Sequence, residues 1–156
     1  MKTKIYNLMA MFFLASLSFG FTACSDDDEN SGSAEDFVGT WGLTEVYERE
    51  VWNGEEEVTS ASGTPEEIYS QKGGGYTYVT FNADGNGGFY SIDGVTPKET
   101  FEKWKYVDNK IYFSYHNDKF SEEAYTVSFS GNTMTWVGEE SDEEGTYYER
   151  KVWKKK

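Results

Sequence analysis

From Phe37 onward, aromatic and β-branched residues recur at alternate positions in short runs, and the runs end in glycine, asparagine or aspartate. Alternation with period two is the signature of a half-buried strand; a helix facing one core would repeat its apolar positions every three to four residues. Trp41, Leu43 and Tyr47 share one phase of a first strand, interrupted by Glu45, which runs to about Val51 or Trp52 before the Asn53-Gly54 turn. Further strands are expected at 76–81, 89–92 and 101–107, the last with Trp104 and Tyr106 in phase. Ile111, Phe113 and Tyr115 alternate in the next strand, then Tyr125, Val127 and Phe129, then Met134 and Trp136, and finally residues 147–153. Asp93-Gly94, Asp108-Asn109 and Gly131-Asn132 supply reversals, and 139–145 reads as an acidic loop. Residues 55–62 are polar and give no assignment.

One short helix interrupts this series. Thr64 can cap it, Pro65 suits its first position and Glu67 can complete a capping box, so a helix over 65–70 is expected, ended by Gly73-Gly74-Gly75. The fold class is therefore all-β: an antiparallel meander of about eight strands that closes into a small β-barrel, with one short helix. A β-sandwich is the competing arrangement. The chain has 28 aromatic residues (12 Tyr, 11 Phe, 5 Trp) and only two prolines, which favours strands over helices.

The N-terminal segment has a different character. Lys2 and Lys4 precede an uncharged apolar run reaching Phe21, the pattern of a secretory signal; the run is short for a transmembrane helix. Phe21-Thr22-Ala23-Cys24 resembles the lipobox of bacterial lipoproteins, with Phe in place of the usual Leu at its first position. The resemblance implies that the sulfur of Cys24 takes a diacylglyceryl group, that the preceding peptide bond is cut, and that the new amine is acylated with palmitate-like chains. Two or three chains anchor stably where one does not. Cys24 is the only cysteine, so no intramolecular disulfide can form. Ser25-Asp26-Asp27-Asp28-Glu29 resembles the acidic tag of Bacteroidetes-type lipoproteins displayed on the outer face of the outer membrane; its plain reading is a solvated linker. The expected organisation is a signal over 1–23, a lipidated cysteine and tether over 24–36, and a barrel domain over 37–156.

Without Lys2 and Lys4, 12 basic residues face 28 acidic ones, a net charge of −16. That surface excludes a nucleic-acid partner and electrostatic adsorption to anionic lipid. The expected membrane contact is the anchor on Cys24, and the domain is expected to be a monomer.

Within the barrel, Gly39-Thr40-Trp41 opens the first strand in a Gly-x-Trp form. Residues 79–85, Trp104-Lys105-Tyr106 before Asp108-Asn109, and Tyr148-Glu149-Arg150-Lys151 continue a pattern that resembles the lipocalin-like lipoproteins of Bacteroidetes. The resemblance implies that Trp41 plugs one barrel end and that Arg150 lies over it, a cation–π contact of ~0.5–2 kcal/mol.

The inward-facing set expected to meet a ligand is Trp41, Phe81, Trp104, Tyr106, Phe113, Tyr115, Phe129 and Trp136. The same residues could fill a small barrel completely, and both outcomes stay open. No cofactor and no metal are expected. Asn82-x-Asp84-x-Asn86-Gly87 approaches a calcium loop, but a β-turn explains those residues as well. His116 is the sole histidine, expected exposed at a strand end with no nucleophile motif to serve, so an enzyme is not expected. The leading expectation is a lipid-anchored envelope protein that binds a small hydrophobic or amphipathic ligand. Its alternative is a protein- or glycan-interaction module with a filled barrel.

Overall fold

The computed structural model describes residues 32–143 and 145–156. Cys24 and the acidic stretch after it lie outside the described residues. The elements in chain order are α1 (Ala34–Phe37), β1 (Gly39–Trp52), β2 (Glu55–Ser62), α2 (Pro65–Lys72), β3 (Tyr78–Phe81), β4 (Gly87–Tyr90), β5 (Pro97–Phe101), β6 (Lys103–Val107), β7 (Lys110–Ser114), β8 (Tyr125–Ser130), β9 (Thr133–Ser141) and β10 (Gly145–Lys155). The helical turn α1 starts within the span read from sequence as tether (24–36) and ends at Phe37, the first residue of the expected barrel domain.

Nine strands form one antiparallel sheet in the order β5-β4-β3-β1-β10-β9-β8-β7-β6, and β2 pairs with β1 beside it. The two ends of this order, β5 and β6, are consecutive in the chain, so the sheet curls into a nearly closed barrel. At that seam the Glu102 amide donates to the Ser114 carbonyl at 2.8 Å and the Trp104 amide to the Gly85 carbonyl at 2.9 Å. Closure leaves few unpaired strand edges.

The all-β barrel expected from sequence is thus observed, with three differences in its strands. Residues 55–62 form β2, in register with β1 from Trp52↔Glu55 to Glu45↔Ser62. Ala61 is the only buried residue of that strand, so no apolar phase marks it. The strand expected at 101–107 is two, β5 and β6, divided at Glu102. The acidic stretch 139–145 is not all loop, because β9 continues to Ser141 against β10 (Thr146↔Ser141). Beyond the barrel's rim both faces of this hairpin are solvated, so glutamates are tolerated on either face.

Both long hairpins, β1–β2 and β9–β10, project from one end. β1 holds β3 along its first part (Gly39↔Phe81 to Gly42↔Tyr78) and β2 along the rest, with a bulge between Leu43 and Glu45 where the partner changes.

The opposite end is plugged. Phe37 at the end of α1 is fully buried and packs at 4.9–5.4 Å between ring centroids against Phe81, Trp104, Tyr106 and Phe129. The Trp41 indole donates to the Phe37 carbonyl at 2.7 Å, tying the plug to β1. Gly39, between them, takes φ +129°, a conformation that favours glycine, and a Cβ there would meet the Lys155 side chain at 3.2 Å.

Helix α2 covers the projecting end. It begins as its sequence dictates: the Glu67 amide donates to the Thr64 hydroxyl at 3.3 Å and the Thr64 amide to the Glu67 carboxylate at 2.8 Å. It ends at Gly73, which is left-handed (φ 72°), and it buries Ile68.

Candidate functional site

The inward phase of β10 reads Tyr147, Glu149, Lys151, Trp153. Trp153 is buried against Trp136 at 5.1 Å and belongs to the aromatic core, so the same parity carries two charged residues into the upper barrel. Lys151 Nζ lies 2.7 Å from Glu149 Oε2, with both side chains 10% exposed or less. The ammonium also donates to the Tyr76 hydroxyl at 3.0 Å and stands 5.3 Å and 5.5 Å from the ring centres of Tyr76 and Tyr125. The Tyr147 hydroxyl donates to Glu149 Oε2 at 3.3 Å. This is a buried, largely satisfied polar cluster above an aromatic core, where loss of one partner is costly.

The cluster sets the ionisation of its members. Burial opposes the Lys151 charge, but Tyr76 and the Glu149 carboxylate outweigh it and hold the ammonium above the ordinary lysine range. Burial first, and the charge of Glu149 second, push the Tyr125 and Tyr147 phenols well above the usual tyrosine value. Tyr115 is pushed up to about 12 by burial, with Glu99 adding to it. At neutral pH all three phenols are protonated and can donate.

Open space lies on both sides of the cluster. On the Glu149 side, β7 pairs with β8 only through Lys110↔Thr126 and Ile111↔Tyr125, and the wall then parts. The gap is a cleft of about 430 Å³, walled by Tyr112, Tyr125 and Tyr147 and edged by Glu122, Glu123, Glu139 and Glu140, with Glu149 also in the lining. Tyr125 lies flat on Trp136 (5.3 Å, 30°). Gly138 leaves room for it, since a Cβ there would meet Tyr125 Cε1 at 3.0 Å and Glu149 Cγ at 3.2 Å. A second hollow of about 270 Å³ shares Glu140 and Tyr147 and extends the cleft toward Trp52. On the Lys151 side is a smaller pocket of about 150 Å³ under α2.

The residues expected to line a ligand cavity sit elsewhere. Trp41, Phe81, Phe113 and Trp136 are buried, and Trp104, Tyr106, Tyr115 and Phe129 pack against them. None of these eight lines the three cavities. They fill the barrel interior, with Phe81, for example, within 6.3 Å of Phe37, Phe101, Trp104, Phe113 and Trp136.

Arg150 requires a correction. It is on the outward phase of β10, opposite Tyr47, and pairs with Glu45 at 3.3 Å. The cation over Trp41 is Lys155, 5.2 Å from the ring, because the register sets Trp41 against Lys155.

Asn82, Asp84 and Asn86 bond one another: Asn82 Nδ2 donates to Asn86 Oδ1 at 2.7 Å and Asn86 Nδ2 to Asp84 Oδ2 at 2.8 Å. Among the described residues no group of three or more His, Cys, Asp or Glu is arranged to hold a metal ion. His116 is exposed, beside the turn formed by Asn117 and Asp118.

Sequence reasoning missed Glu149 and Lys151 because charges in a strand read as its solvent face. Counting back by twos from Trp153 would have placed them inside.

Comparison with known proteins agrees with this architecture. No curated protein and no solved structure matches the chain. Residues 37–136 match the family model of the lipocalin-like domain, a span that ends before β10 and so leaves out Tyr147, Glu149 and Lys151. With the match covering most of the barrel, the chain belongs to the lipocalin-like domain family.

Proposed function

We propose that this protein is a lipid-anchored binder of a small amphipathic molecule at the bacterial cell envelope. The observation that carries the reading is the 430 Å³ cleft beside the buried Glu149–Lys151 pair. Its size falls within the ~300–1,000 Å³ of ordinary small-molecule sites, and its lining combines ring faces with a few convergent polar groups. The tyrosine rings suit an apolar body. Protonated phenols and the carboxylates at the rim suit a head group rich in hydrogen-bond donors. Binding is the activity proposed, because the cleft offers ring faces and hydrogen-bonding groups to one amphipathic molecule.

The anchor is Cys24, acylated at the outer membrane and displayed on the cell surface rather than on the periplasmic face. The described chain begins at the plugged end of the barrel, so a tether from Cys24 presents the projecting hairpins and the cleft away from the lipid. The net charge of −16 left without Lys2 and Lys4 (12 basic against 28 acidic residues) keeps that domain soluble and off nucleic acid. The domain acts as a monomer.

Native mass spectrometry of the protein purified from its own cells tests the binding reading. A reproducible adduct that disappears in Ala124→Trp, which fills the cleft from its loop side, is the expected result; no adduct in repeated preparations overturns it. Labelling with a palmitate analogue should mark the wild-type chain and not Cys24→Ser.

A second reading, an interaction module, draws on the filled lower barrel and on Trp52, 47% exposed at the tip of the projecting β1–β2 hairpin. It predicts that Trp52→Ala weakens capture of a protein or glycan partner while leaving any small-molecule adduct in place.

A further inference from the structure

The smaller pocket carries chemistry of its own. It lies beneath α2 and the Gly74-Gly75 loop, with Leu43, Val46 and Ile68 forming an apolar floor. Thr77 and Lys151 are the polar residues of its inner lining. The Thr77 backbone is fully used: its amide donates to the Tyr90 carbonyl at 3.0 Å and its carbonyl accepts from the Leu43 amide at 2.8 Å. Its side chain is not. Thr77 is 1% exposed, and its hydroxyl has no hydrogen-bond partner. A buried hydroxyl in that state is rare, because it has given up water and received nothing in exchange.

Lys151 adds a second unmet donor. An ammonium has three N–H groups. One goes to Glu149 at 2.7 Å and one to Tyr76 at 3.0 Å, and no oxygen among the described residues takes the third.

We propose that this pocket is a second, separate binding site, for a compact neutral molecule about the size of one benzene ring that carries a hydroxyl or carbonyl group. Size sets the first limit: the volume is about 150 Å³, and a dry apolar cavity of roughly 150 Å³ accepts benzene. The two unmet groups set the second. A hydroxyl or carbonyl oxygen set against this part of the lining gives Thr77 the partner it lacks and offers an acceptor to Lys151. Charge sets the third. Lys151 is already neutralised by Glu149, so a carboxylate would place an uncompensated negative charge in a half-buried site within an acidic protein. The ion pair between Lys72 of α2 and Glu48 of β1 contributes residues to the lining and holds α2 over it.

The test follows the methyl groups of Leu43, Val46 and Ile68 by NMR on the purified chain while phenol, benzene or benzoate is added. Phenol should give saturable shifts at those methyls in the millimolar range or below, benzene should bind severalfold more weakly, and benzoate should not compete. Thr77→Val should weaken phenol about tenfold and leave benzene unchanged. Ala124→Trp, which blocks the larger cleft, should leave phenol binding intact, so failure of the cleft as a site and failure of this pocket give separate results.

Benzoate binding as tightly as phenol overturns the proposal, as does a phenol affinity that ignores Thr77→Val, the outcome expected if an ordered water serves the two donors. Shifts that do not saturate overturn it too. If Thr77→Val does not fold, the ranking of the three probes on the unaltered chain decides alone.

Discussion

Lys151 and Glu149 illustrate what a single strand position can cost or stabilise. Each charge is tolerable in the upper barrel only because the other is 2.7 Å away and each also bonds a tyrosine hydroxyl. Lys151→Met should therefore destabilise by about 3–5 kcal/mol, since it leaves Glu149 buried without its partner. Adding Glu149→Leu should recover most of that loss, because a well-packed apolar pair of similar volume is often neutral or better. Chemical denaturation of the two variants measures both terms; a double variant no more stable than the single would show that the pair is not what holds this region. The contrast with Arg150 is instructive. Arg150 and Lys151 are adjacent basic residues, yet period two sends one to solvent beside Glu45 and the other into the barrel. Chain identity alone does not distinguish them. The phase counted from Trp153 does.

Helix α2 shows how far local signals reach. Thr64, Pro65, Glu67 and the glycines at 73–75 are short-range chemistry, and the helix they announce is present from Pro65–Lys72 with both capping-box bonds formed. What such signals could not give is the element's role, which depends on Ile68 meeting Leu43 and Val46 across the pocket. Thr64→Ala removes the cap and should cost about 1 kcal/mol, typical for that substitution. Because α2 is held over the pocket by one buried apolar residue, the Lys72–Glu48 pair and the Gln71–Ser62 and Tyr78–Glu66 bonds, the loss should appear locally. Amide exchange at Ile68 and Tyr69 should quicken roughly fivefold while β9 and β10 stay protected, and uniform acceleration across the barrel would contradict a locally held lid. β2 is the opposite case. Glu55-Glu56-Glu57 gives no strand pattern, and it becomes one only because Asn53 and Gly54, with φ of 51° and 84°, fold it back on β1. The turn was legible and the strand it makes was not.

At the scale of the whole molecule, the barrel's two ends differ in what they contain. Closure by alternating strands was legible because one buried face imposes period two throughout, and the aromatic core of Trp41, Phe81, Phe113 and Trp136 follows from it. The site was not legible, because it forms where the regular barrel stops: β7 leaves β8 after two residue pairs, and the space left is filled by tyrosines and charges instead of the core's own rings. That division predicts how the protein fails at high pH. In the unfolded chain every tyrosine ionises near pH ~10, but in the folded barrel burial keeps the Tyr125 phenol protonated to higher pH, with Glu149 adding to the effect. Lys151 acts in the same sense, holding its proton above the ordinary lysine range. Between pH ~10 and 12 the unfolded state therefore binds fewer protons than the folded one, and stability must fall as pH rises, by up to ~1.4 kcal/mol per pH unit for each proton so held. The contribution of Lys151 is complete below the unfolded lysine pKa and is lost above it. Thermal melts from pH 9 to 11.5, with absorbance at 295 nm following phenolate, check this directly. The melting temperature should fall steeply above pH 10, and part of the tyrosine signal should appear only on unfolding. Tyr125→Phe should flatten the slope by about one proton; a wild-type melting temperature that stays level to pH 11.5 would mean that the upper barrel is wetter than its geometry indicates.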